Sequence, residues 1–175
     1  MDTYKRQRFT RAAEACWDFI KITIPRFFAN VWRFRRELAT HQWWDYYHTL
    51  YMMRRSLTII RDGLARRGSE VPETRLMKVA KITRAITILD NIIESRYIEM
   101  AESSLGEIHP GLLEGTLTED QNDHNSRVYD KARELEESEW KELFVILEGQ
   151  DPTTFGPDQD WREWFDGSGI RGWWD

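Results

Sequence analysis

Between residues 41 and 67 the apolar side chains Trp43, Tyr46, Leu50, Met53, Leu57, Ile60 and Leu64 recur at alternating spacings of three and four. That is a heptad stripe, which leaves one face of a helix apolar and obliges another helix to cover it. Gly68 stands where a left-handed C-terminal cap would fall, and Pro72 suits the first turn of a following helix. Leu76, Val79, Ile82, Ile86, Leu89, Ile93 and Tyr97 then carry a second stripe to about residue 102. With so short a turn between them, the two helices are predicted to run antiparallel as the spine of the fold.

The rest of the chain arranges itself around that pair. Residues 4–22 read as a first helix ended at Pro25, since proline is disfavoured inside a helix. A second helix follows, with Phe27, Phe28, Val31, Trp32 and Phe34 predicted to form a buried aromatic face and Arg26, Arg33, Arg35 and Arg36 an exposed basic one. Residues 103–117 hold Gly106, Pro110, Gly111 and Gly115 and read as a loop. Thr118 and Gln121 have the spacing of a capping box, opening a long acidic helix through Leu147. Its expected core residues are Val128, Ala132, Leu135, Trp140, Leu143, Ile146 and Leu147. Gly149, Pro152, Gly156 and Pro157 form a breaker-rich linker, and Asp158 is placed to cap a short helix bearing Trp161, Trp164 and Phe165. The expected fold is all-α: a helical bundle over 1–148 with a long antiparallel pair, and a linker, short helix and Trp-rich tail over 149–175.

A length of 175 residues and 41% hydrophobic content suffice for a real core. The greasiest stretch, 17–32, is interrupted by Asp18, Lys21, Pro25 and Arg26, so neither a membrane span nor a signal-peptide core is expected. No membrane partner is anticipated. One cysteine, Cys16, excludes an internal disulfide and fits a reducing cytoplasm. Cys16 has no neighbouring His and reads as a small buried hydrophobe. There is no phosphate-binding loop, dinucleotide fingerprint, His-Glu-x-x-His or Gly-x-Ser-x-Gly, and no cofactor is expected.

Charge is unevenly spread. Residues 1–68 hold 14 Lys/Arg against 6 Asp/Glu, and residues 69–175 hold 11 against 24. Either the two parts pack with complementary fields or each presents its charge to a partner. Lys5, Arg6, Arg8 and Arg11, interleaved with Tyr4, Phe9 and Trp17, have the composition of a nucleic-acid surface. Conversely, Glu134, Glu136, Glu137, Glu139 and Glu142 could imitate a phosphate backbone toward a nucleic-acid-binding protein, although most acidic helix faces are merely solvated.

Four segments in order carry a resemblance: Asn30-Val31-Trp32-Arg33-Phe34-Arg35-Arg36-Glu37-Leu38, then Trp43-Trp44-Asp45-Tyr46, then Ile88-Leu89-Asp90 through Tyr97, and Gly172-Trp173-Trp174-Asp175. Together they resemble a group of small uncharacterised proteins of tailed bacteriophages. The resemblance implies a viral origin, a helical fold and a host-cell cytoplasmic location; it brings no activity and no catalytic residue.

Two constellations invite a metal reading. His41, Asp45 and His48 share one helix face at i, i+4 and i+7, the outward face relative to the Trp43 stripe, where a solvated polar side is the ordinary explanation. Asp90 and Glu94, one turn apart, need a cation or an arginine, and Arg84, Arg54 or Arg55 can supply it as an ion pair between helices. The five tail aromatics Trp161, Trp164, Phe165, Trp173 and Trp174 must be covered. Either the tail folds back onto the chain, or Trp173-Trp174-Asp175 is handed to a partner as a linear motif. The expected function is binding rather than catalysis: a protein partner met through Trp161, Trp164, Trp173, Trp174 and Asp175, or nucleic acid or an anionic ligand met through Arg33, Arg35 and Arg36. A carboxylate/His metal enzyme is the third class, and a second copy of the chain would cover a heptad stripe equally well.

Overall fold

The computed structural model describes residues 17, 19–40, 45–67, 70–111 and 115–173. Seven α-helices lie among them: α1 (Ile24–Arg33), α2 (Arg35–Ala39), α3 (Tyr46–Arg67), α4 (Pro72–Ile93), α5 (Tyr97–Leu105), α6 (Glu119–Glu148) and α7 (Trp161–Trp164). No strand occurs among the described residues, and the all-α expectation holds. No helix is long and apolar enough to cross a membrane. The chain divides into two compact units, Met1–Met52 and Met53–Asp175. The division therefore falls inside α3 rather than at the Gly149–Pro157 breakers, and the C-terminal residues belong to the second unit.

In the first unit a π-helical turn, Phe19–Thr23, runs directly into α1. Pro25 sits in the first turn of α1, where no intrahelical partner is needed for its missing N–H. The expected buried aromatic face is not found: Phe27, Phe28 and Trp32 are 60%, 65% and 68% exposed, and neither α1 nor α2 has a buried residue. A single amphipathic helix buries its stripe only when another element lies against it, and periodicity says nothing about whether one does.

The second unit is built on α4, α5 and α6, with α6 packed along both of the others, and the C-terminal part of α3 joins it. Leu57 and Leu64 of α3 are buried, as is Leu50 one heptad earlier, whereas Tyr46, placed on the same stripe, is exposed and stacked on Tyr47. Trp43 lies outside the described residues. Arg54 of α3 pairs with Asp90 of α4, an antiparallel registration of the two helices. Along α4, Ile82, Ile86 and Leu89 are buried as expected, but so are Ala85, Ile88 and Ile92. The second half of α4 is covered on more than one face because α6 also packs against it. Leu76, at the exposed start, is not core.

The predicted single helix over 72–102 is two helices. Ser95 adopts φ 52°, and the Arg96 N–H bonds the Asn91 carbonyl while the Ser95 N–H bonds that of Ile92. These are the two bonds of a Schellman C-cap, a stop that ordinarily uses glycine and so leaves no signal in a Ser-Arg sequence. The turn redirects the chain so that Tyr97 and Ala101 of α5 are buried and α5 packs along α6.

Helix α6 begins as predicted. The Thr118 hydroxyl accepts from the Gln121 N–H at 3.3 Å, and the Gln121 side chain accepts from the Thr118 N–H at 3.0 Å. Its buried residues are Asn125, Val128, Ala132, Glu139, Leu143 and Ile146. Trp140 is only half-buried, and a glutamate takes the core position beside it.

Candidate binding groove

The most perturbed titrating groups gather where α4, α5 and α6 meet. Glu139 accepts from Arg84 Nη2, Asn91 Nδ2 and the Tyr97 hydroxyl, each at 2.9 Å. Arg84 also forms a bidentate pair with Glu142, Nε at 2.8 Å and Nη2 at 2.6 Å. The Glu142 hydrogen bonds raise the Arg84 pKa above its ordinary value, against the opposing effect of burial. Burial, then the bond to Glu139, pushes the Tyr97 hydroxyl well above the phenol range, and the Arg84 bonds hold Glu142 below the usual carboxylate range. Perturbed groups often mark active sites, but here every shift has an intramolecular partner joining helices. The cluster is a strut.

The metal candidates separate in the same way. Asp90 is paired with Arg54, as the ion-pair reading anticipated, and Glu94 turns to Arg96 two residues on. Asp45 caps α3 by accepting from the Tyr47 N–H at 2.9 Å. His48, expected on an outward face, is 8% exposed with its ring 6.2 Å from that of Tyr51. His41 and Cys16 lie outside the described residues. No group of three or more metal-ligating side chains occurs among the described residues.

The C-terminal residues fold back, one of the two outcomes anticipated for the tail. Trp173 is 1% exposed and its indole N–H bonds the Gly167 carbonyl at 2.9 Å. The Gly169 N–H bonds the Ile146 carbonyl at 2.8 Å, satisfying an acceptor that the end of α6 leaves open. Lys81 of α4 pairs with Asp166 at 2.7 Å. Gly167 lies against α4 so closely that a Cβ on it would fall 2.4 Å from the Met77 carbonyl carbon. Trp173 is thus core, while Trp174 and Asp175 lie outside the described residues.

Between the end of α6 and this folded tail lies an open groove of about 940 Å³, lined by Phe144, Leu147, Trp164, Phe165 and Ile170 together with residues 148–152 and 168–172. Trp164 is fixed there by its indole N–H on the Thr154 hydroxyl at 3.0 Å and an edge contact with Phe155 at 5.5 Å. Phe144 is 62% exposed at the margin; Trp161 is also exposed, under the Arg162 guanidinium. Of the predicted binding residues, Trp164 enters the groove and Trp161 lies on the same short helix α7. Arg33, Arg35 and Arg36 belong to the first unit, where Arg35 stacks on Trp32 at 4.2 Å and bonds its carbonyl at 2.7 Å. Phe144 and Ile170 were not predicted: Phe144 follows the core residue Leu143, and Ile170 sits in a Gly-rich run without periodicity. No family model, curated protein or solved structure matches the chain.

Proposed function

We propose that this chain is a non-enzymatic binding protein that holds a protein partner in the groove between α6 and the folded C-terminal residues. The observation that carries this reading is the groove itself, framed by the end of α6 and the folded C-terminal residues and margined by an exposed Phe144. Phe144 stacks on Trp140 with ring centroids 5.9 Å apart and leaves most of its surface in water, and a largely exposed aromatic beside a cleft is the kind of anchor that supplies much of the binding energy in interfaces. The perturbed Arg84, Tyr97 and Glu142 serve as struts, which supports binding over chemistry. Seen with the resemblance to tailed-bacteriophage proteins, the partner is a host or phage macromolecule in the host cytoplasm, and inhibition of a host defence or nucleic-acid-processing factor is the role that reading favours.

Capture from infected and uninfected host lysates, with and without nuclease, tests this when wild type is compared with Phe144→Asp. Since Phe144 is 62% exposed, its replacement removes only the stacking on Trp140 and no buried core residue. A nuclease-resistant protein retained by wild type and lost by Phe144→Asp is the expected result. Recovery of nucleic acid alone, or of the same protein by both forms, would overturn it.

A further inference from the structure

The first unit carries a surface the groove does not involve. Ile20, Ile24, Phe27, Phe28 and Val31 follow one another at spacings of four, three, one and three, so they form one stripe along the π-helical turn and α1. Their exposures run from 37% to 65%, and Trp32 beside them is 68% exposed. Arg26 and Arg33, seven residues apart, occupy the opposite side of α1. Lys21 precedes them, Arg35 and Arg36 follow, and from residue 19 to 36 there is no acidic residue.

We propose that this segment binds the surface of an anionic lipid bilayer, lying in the interface plane with the Ile20–Val31 stripe in the acyl boundary and the basic residues among the headgroups. Each part of the pattern has a use there. A ten-residue helix is about 15 Å long and cannot span roughly 30 Å of hydrocarbon, but one lying flat needs only a continuous apolar side. The aliphatic residues Ile20, Ile24 and Val31 gain from acyl chains, whereas a nucleic acid would engage only the aromatic ones by stacking. Trp32, with the Arg35 guanidinium stacked on it, pairs an amphipathic ring with a cation, a combination suited to the headgroup level. Trp17 with the Lys21 ammonium 4.4 Å above its ring repeats it at the other end. The charge complementarity selects an anionic over a neutral surface: each Lys or Arg near such a surface strengthens binding about fivefold.

The test is flotation of the full chain with vesicles of phosphatidylcholine alone and of phosphatidylcholine mixed with phosphatidylglycerol. Wild type should float with the mixed vesicles, remain below with the neutral ones, and be released by high salt. Phe27→Ser with Phe28→Ser should abolish flotation; Arg26→Gln with Arg36→Gln should weaken it about 25-fold. All four side chains are exposed, so far-UV circular dichroism should be unchanged in both variants. No flotation of wild type would overturn the proposal, as would flotation that either pair leaves untouched. Oligonucleotide binding that needs the arginines but tolerates the Phe pair would assign the surface to nucleic acid instead. A dimer dissolved by the Phe pair, with no lipid binding, would assign it to a second copy of the chain.

Discussion

The Asn125 carboxamide holds both backbone polar atoms of His109, accepting from its N–H at 2.9 Å and donating to its carbonyl at 3.0 Å. Asn125 is 1% exposed at the head of the buried stripe of α6, so a side chain that looks misplaced in the core is the clasp for the loop between α5 and α6. The His109 ring meets that of His124 edge-on at 5.1 Å, and the Ile108 N–H bonds Glu102 at 3.0 Å. Replacing Asn125 by Ala takes both partners from the half-buried N–H and carbonyl of His109 and should cost about 1–2 kcal/mol. Thermal unfolding measures that loss, and faster amide exchange at Ile108 and His109 locates it.

Glu139 should be worth more than its surface partners. Glu139→Ala leaves the Asn91 amide and the Tyr97 hydroxyl unpaired in the interior, a loss of about 2–4 kcal/mol. Removing the half-exposed Arg84 instead (Arg84→Met) leaves Glu139 its two neutral donors but takes the cation from a nearly buried carboxylate, and the loss should be about 1–2 kcal/mol, since only the Glu142 half of the pair is exposed and contributes little. Chemical denaturation of both variants checks the order; equal losses would show that the arginine pair, not the buried hydrogen bonds, carries the strut.

Two glycines of the C-terminal region should respond oppositely to alanine. Gly167 has φ 85° and no room for a Cβ, so Gly167→Ala should lift 165–173 from α4 and expose it to limited proteolysis. Gly156 has ordinary backbone and open space around it, and Gly156→Ala should be neutral or slightly stabilising.

Acid should loosen the same region. Burial works to raise the Asp166 pKa, but the hydrogen bonds from Lys81 and from the Ser168 hydroxyl and N–H outweigh it and bring it to about 2, below the unfolded value of 3.8. A depressed folded pKa means that the unfolded chain binds the proton first, so this contribution is complete above about pH 4 and is lost as pH falls toward 2. Glu142, also lowered, acts in the same direction. Stability of wild type should therefore drop between pH 4 and pH 2, and the drop should be smaller in Asp166→Asn.

Trp173 and Trp161 separate core from surface. Trp173→Ala empties a fully buried site and should cost about 3–5 kcal/mol, whereas Trp161→Ala, at a 43% exposed position, should leave the melting temperature nearly unchanged. Calorimetry of the two variants decides this, and a stable Trp173→Ala would place that indole outside the core.

What the residue pattern reveals follows from what each signal encodes. The α3–α4 hairpin and the start of α6 were legible because a heptad stripe, a proline at the first turn and a Thr-x-x-Gln cap act through neighbours in sequence. The stop at Ser95 was not, since its left-handed residue lacks the glycine that usually announces it. Asn125 and Glu139 fit the Val128–Ala132–Leu143 spacing, yet polarity alone assigns them to solvent; only a partner loop for Asn125 and partner helices for Glu139 make them core. The groove was half-visible for a similar reason. Trp164 was singled out by its type, while Phe144 and residues 168–172 meet at it only because Gly149 and Gly169 let two chain segments approach closely.

The position of the Glu139 carboxylate bears on how the second unit comes apart. One group is bonded by side chains of α4 and α5 from its place on α6, so lifting any one of the three helices strips partners from a buried charge and penalises partial opening. The three should exchange their amide protons as a single cooperative block, with the protection of that block reporting global unfolding. The loop clasped by Asn125 and the residues around Gly167, held by fewer bonds nearer the solvent, should open beneath that limit and independently of each other.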